Sequence, residues 1–181
     1  MTTLFFKRIF IFCSTLLLVS CGFHLQGEMQ LASPLHRLYL QTNDPYGPLA
    51  NNLREYLKIS KVQLVSSPAD ARTILTILRD ESSQELLSVS GTQQTRQYNL
   101  RVTVAFEISD AKGLTLVSPQ ILSETRAITI QSNQILGSSN EANLFYQQMR
   151  RHLAYAIMNR LASRDMTQQI NKNFYLSPKQ K

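Results

Sequence analysis

Residues 98–108 alternate with period two. Tyr98, Leu100, Val102, Val104, Phe106 and Ile108 are apolar, and Asn99, Arg101, Thr103, Ala105 and Glu107 stand between them. A strand sends successive side chains to opposite faces, so the pattern predicts a strand with one buried and one wet face. Asp110-Ala111-Lys112-Gly113 then predicts a hairpin loop. A return strand follows, interrupted at Pro119 and clearest over 127–130. Upstream, residues 74–78 are apolar on both faces and predict a more central strand. It continues toward Val89 through a bulge or bend, before a turn at Ser90-Gly91-Thr92. Residues 37–42, with Leu38 and Leu40 on one side and Tyr39 on the other, predict the first strand. Residues 62–65 fit either a short strand or a docking segment, and 66–70 a loop.

Two segments carry helical spacing instead. Asn43-Asp44-Pro45-Tyr46-Gly47-Pro48 is dense in turn residues, and Pro48 suits the first turn of a helix. Leu49, Leu53, Tyr56 and Leu57 follow as one apolar stripe, an amphipathic helix of about three turns. Farther on, Ser138 and Glu141 match a capping box. From there Ala142, Phe145, Met149, Leu153, Ala156 and Ile157 line one face of a long helix ending near Arg164. Arg160 lies on the same side near its end, where it can snorkel. A second stripe of Leu144, Arg151, Tyr155 and Met158 either packs on the first helix or forms a contact face for a partner protein. Residues 165–181 are polar and predict a frayed tail. Together these elements predict an α+β fold, two helices packed on one face of a mostly antiparallel sheet in a two-layer sandwich.

Composition narrows the class. With 181 residues, 43% hydrophobic and 17% charged, the chain has room for one ordinary domain and excludes a wholly disordered polymer. Two cysteines cannot make a disulfide scaffold or a four-ligand zinc site. The first twenty residues sharpen the picture. Lys7 and Arg8 precede an apolar run of eleven positions, 9–19, too short to span a bilayer, which takes ~20 residues. This is the layout of a secretory signal peptide. The run closes in Leu18-Val19-Ser20-Cys21, similar to the bacterial lipobox. That likeness implies cleavage before Cys21, a diacylglycerol on its sulfur and an acyl chain on its amine. The alternative is an ordinary signal peptide cleaved near a cysteine. Cys13 departs with the leader, so Cys21 is the one mature cysteine, and acylation removes a thiol that an oxidising periplasm would threaten. Gly22 at the next position resembles lipoproteins sorted to the outer membrane. The predicted plan is a removed leader (1–20), a lipid-anchored tether (21–34), an α/β domain (35–164) and the polar tail.

The chemistry is that of binding. Formal net charge is +7, and removal of the leader takes Lys7 and Arg8 and leaves +5. His24, His36 and His152 have no metal-ligand neighbours at helical or hairpin spacing, and there is no glycine-rich phosphate loop or nucleophile elbow. No catalytic residue, metal or cofactor is expected beyond the covalent lipid at Cys21. The basic residues are dispersed, with Arg150-Arg151 the one mature adjacent pair, so anionic lipid is a better expected partner than nucleic acid. Arg96, Arg101, Lys112 and Arg126 fall on or beside the antiparallel strands and are the candidate phosphate contacts, set against ordinary solubilising charge.

Cys21-Gly22-Phe23-His24-Leu25-Gln26-Gly27 resembles the mature N-terminus of the LptE family, lipopolysaccharide-assembly lipoproteins. So does Asn43-Asp44-Pro45-Tyr46-Gly47-Pro48-Leu49, and the alternating strand and final helix come in the family's order over 21–164. The resemblance implies a four-stranded, two-helix sandwich facing the periplasm at the outer membrane. It also implies a plug inside the LptD β-barrel, which it helps to assemble, in a translocon delivering lipopolysaccharide to the outer leaflet. The polar strand face suits a wet lumen. One departure stands out. The family associates basic side chains near the hairpin tip and before the last helix with lipopolysaccharide contact. Here Gly91, Thr92, Gln93 and Gln94, then Gly137, Ser138 and Ser139, occupy those places, with Arg96 the nearest substitute. A lipid or lipopolysaccharide carrier independent of any barrel is the alternative, and an outer-membrane enzyme is disfavoured by the missing constellations.

Overall fold

A computed structural model describes residues 29–91, 95–131 and 135–176. Strand β1 (Arg37–Gln41) leads through helix α1 (Pro48–Ile59) to strand β2 (Gln63–Leu64). Three long strands follow, β3 (Thr73–Val89), β4 (Thr95–Asp110) and β5 (Thr115–Gln131), and then helices α2 (Ile135–Ala162) and α3 (Arg164–Leu176). The strands form one sheet in the order β2-β1-β3-β4-β5. β1 is parallel to both β2 and β3, and β3, β4 and β5 are antiparallel.

The α+β class and the helix-covered sheet stand as expected, with two corrections. The sheet is five-stranded and mixed where four mostly antiparallel strands were expected. α1 carries the chain over to lie parallel to β1 as β2, and β3 is then laid on β1's other side. A two-residue strand is too short to show a period. The second correction is a third helix in place of a frayed tail. Met166 and Ile170 are buried and Phe174 packs on the core, an i, i+4, i+8 stripe. Ser163 Oγ accepts the Met166 N–H at 3.4 Å as a cap.

Helix α1 starts from the predicted turn, with Gly47 at its cap and Pro48 in its first turn. Asp44 packs where a Gly47 Cβ would stand, so the turn takes glycine there for space. Helix α2 begins at Ile135, so Ser138 and Glu141 lie within its first turns and not at its cap. A capping preference of about 1 kcal/mol does not set the start of a helix this long.

Strand β4 keeps its alternation: Leu100, Val102, Val104, Phe106 and Ile108 are all buried under the helices. β3 contains the expected irregularity, with register shifts between Ile77 and Arg79 and between Leu86 and Ser88. The first has a consequence for the site. Ile77 pairs with Phe106 and Asp80 with Val104, so the extra residue turns Asp80 toward the helices and Arg79 to the open face. β5 runs unbroken through Pro119, where the pairing shifts between Phe106 and Ile108. As an edge strand it tolerates a proline that has no N–H to donate.

The core lies between the sheet and the helices, with Leu35, Leu38, Leu53, Leu57, Leu75, Phe106, Met149, Ile157, Leu161 and Ile170 among its buried residues. β3 to β5 run about 50 Å at ~3.3 Å per residue, far past the five-residue β1. Their far ends therefore form a three-stranded blade beyond the widest part of the sheet.

Candidate functional site

The blade and the helix lying along it contain most of the candidate residues. α2 is tied to both flanking strands. On the β3 side, Arg150 Nε meets both Asp80 oxygens at 2.9 and 3.0 Å, with both side chains largely shielded. One turn earlier, the Tyr146 hydroxyl donates to the Ser83 carbonyl at 3.1 Å. Burial raises the Tyr146 phenol pKa, and the Arg150 charge partly offsets that. On the β5 side, the Arg126 guanidinium lies over the Phe145 ring, 4.2 Å from its centre, and donates to Gln148 Oε1 at 3.0 Å. His152 Nδ1 stands 3.1 Å from Glu124 Oε1, and Arg160 reaches Gln120 Oε1 at 3.4 Å. A partly desolvated, two-oxygen guanidinium contact is the strongest of these. The others are more open to solvent and individually weak.

The four candidate phosphate contacts do not form one cluster. Arg96 is exposed near the blade tip, paired across the sheet with Val89 and Ile130. Lys112 sits in the turn at the other end of β4, where Asp110 Oδ1 accepts the Lys112 and Leu114 N–H groups. The separation is about 45 Å along the strand, several screening lengths. Arg101 is exposed on the open face, opposite Ser83 and Thr125. Its diagonal neighbours on β3 are Glu81 and Glu85, so its charge sits among compensating carboxylates. Arg126 faces the helices, bound to Phe145 and Gln148. Cys21 lies outside the described residues, as do Thr92, Gln93 and Gln94 of the tip.

The second stripe of α2 resolves into two parts. Met158 is fully buried, and the Tyr155 ring meets Tyr56 of α1 edge-on at 5.9 Å. Arg151 hydrogen-bonds to Tyr56, which, with nearby Glu55, raises its pKa. Met158 is therefore core and Tyr155 joins the α1–α2 contact, while Arg151 beside it is exposed. Leu144 is exposed.

Sequence reasoning passed over Asp80 and Arg150, whose pairing across seventy positions leaves no local signal. It also passed over Arg54 and Lys58, one turn apart on α1, whose spacing was visible. Among the described residues, no group of three or more His, Cys, Asp or Glu is placed to hold a metal ion. No helix among them is long and apolar enough to cross a membrane.

Against known proteins, residues 35–161 match the family model described as LptE, lipopolysaccharide-assembly. The LPS-assembly lipoprotein LptE of Pectobacterium atrosepticum is 28% identical over 161 residues, covering 87% of this chain and 85% of its own. The LPS-assembly lipoprotein LptE of Photorhabdus laumondii is 26% identical over 150 residues, covering 82% and 80%. Among solved structures, the rare lipoprotein B of Shewanella oneidensis superposes with a TM-score of 0.62 at 24% identity, covering 73% of this chain and 98% of its own, and so shares the fold. The family match takes in every strand and helix from β1 to the last turn of α2, and on that match the chain belongs to the LptE family of lipopolysaccharide-assembly proteins.

Proposed function

We propose that this protein is a non-enzymatic lipoprotein of the outer membrane that plugs and helps assemble the LptD β-barrel, forming the translocon that inserts lipopolysaccharide into the outer leaflet. Cys21 bears the lipid, and the folded domain faces the periplasm. The observation that carries the reading is the family match over 35–161, which covers the sandwich and the blade together. The open sheet face supports it. Asn99, Arg101, Thr103 and Glu107 share a face that lies opposite the helices, as a water-filled lumen requires.

For lipopolysaccharide itself, Arg96 is the favoured contact of the four. It is an exposed cation with Val89 and Ile130 beside it on the neighbouring strands, so charge and apolar surface meet at one spot. That pairing suits a phosphorylated, acylated ligand.

The test is a tagged pull-down from detergent-solubilised outer membranes, with partners identified by mass spectrometry. A near-stoichiometric large β-barrel is expected. A lone lipoprotein, under conditions that keep other barrel complexes intact, gives the function to a barrel-independent carrier. Cys21→Ala is expected to lose membrane placement and keep its fold. Unchanged lipopolysaccharide affinity in Arg96→Ala would remove that residue from the contact.

A further inference from the structure

The edge of the sheet opposite the blade carries an unassigned groove. β2 ends at Leu64, whereas β1 runs on to Gln41. The backbone groups of β1 point alternately to its two neighbours. The Arg37 carbonyl accepts the Arg72 N–H at 2.9 Å on the β3 side, and the Leu38 carbonyl accepts the Val65 N–H at 3.0 Å on the β2 side. By that alternation Leu40 next presents its N–H and carbonyl toward the β2 side, past the point where β2 stops. An edge of this kind is a template for another strand.

Alongside it lies a cavity of about 610 Å³ whose walls include Tyr39, Tyr46, Arg54, Lys58, Leu64 and Val65. Among the described residues, two cations line it and no carboxylate does. Arg54 is held in place, donating to the Pro45 carbonyl and to Asn51 Oδ1. Lys58 stands one helical turn along, exposed. Tyr46 is 87% exposed at the rim, a large ring that the described residues leave open.

We propose that this groove binds an extended, carboxylate-bearing segment of a partner protein, which adds to the free edge of β1 beyond β2. Main-chain bonds to β1 supply the register, Leu64, Val65 and the tyrosines take its apolar side chains, and Arg54 and Lys58 take its acids. An isolated anion uses only the cations. A strand with alternating apolar and acidic positions uses all three features. The groove lies at the far edge of the sheet from β5, and its occupancy does not depend on the assignment of a barrel.

The experiment is in-cell photo-crosslinking of the full-length acylated protein carrying Tyr46→p-benzoylphenylalanine, with the adduct mapped by mass spectrometry. The expected adduct is one protein segment bearing Asp or Glu at alternate positions. Lys58→Glu places a like charge against it and lowers the yield about tenfold. Exchange of a facing acid for Lys in the partner restores the yield. Lys58→Gln gives a smaller loss in the same direction, which covers the case of a charge reversal that harms folding. An adduct on lipopolysaccharide or phospholipid, an adduct on a segment without acids, a yield indifferent to both Lys58 variants, or no adduct overturns the proposal.

Discussion

The two halves of the sheet differ in what joins them to the helices. Near β1, both α1 and α3 accompany α2, and the strands bury Leu75, Ile77, Phe106, Ile108, Leu116 and Val117 beneath them. Along the blade, α2 is the partner: Leu100, Val102 and Val104 are buried there too, and polar contacts from Asp80, Ser83, Glu124 and Arg126 line both of its sides. Leu86, Leu87 and Val89 remain about half exposed there. Burial is non-directional and scales with area, so the base is the stable part. Polar ties are directional and each is worth little net, so they fix where α2 lies more than how strongly it is held.

That contrast makes ordered predictions. Phe106→Ala, at the centre of the base, is expected to cost about 3–5 kcal/mol by chemical denaturation. Ile170→Ala, which truncates one of the two buried residues of α3, is expected to cost about 2–4 kcal/mol. A surface-like value under about 0.5 kcal/mol there would mean that α3 is not part of the cooperative unit.

Asp80→Ala strands the shielded Arg150 guanidinium and is expected to cost about 1–3 kcal/mol. Hydrogen exchange should show the loss in α2 around 146–152 and along β3, with the base protected. Uniform loss of protection would show that the two halves unfold as one. Arg126→Ala removes an exposed cation–π contact and is expected to cost about 0.5–1 kcal/mol, confined to the far end of β5. Leu87→Ser at the tip is expected to stay within about 0.5 kcal/mol in stability. A larger loss would show that the tip is packed.

How far these residues were legible in sequence follows from the range of the signals. The β4 alternation and the α1 stripe are local and strong, and both elements stand where expected. The Met166, Ile170 and Phe174 stripe was equally local. It was outweighed by the polar residues around it, which are the wet face of a helix with one narrow buried edge. Met158 and Tyr155 read as apolar in sequence, but the burial of the first and the ring contact of the second with α1 depend on how the helices lie together. The four candidate cations are neighbours in sequence along the strand region. Strand direction then carried Arg96 and Lys112 to opposite ends and put Arg101 and Arg126 on opposite faces.

Composition and local periodicity carry the α+β class, the lipobox-like close of the apolar run at Cys21, the alternating central strand and the net basic charge of the chain. These rest on composition and on periods of two and 3.6, which any segment carries within itself. The mixed sheet order, the turn of Asp80 toward Arg150 by a single inserted residue, and the groove left where β2 stops short of β1's end arise from tertiary packing alone. Each of these depends on which distant backbone lies beside which, and hydrophobic pattern carries no record of that.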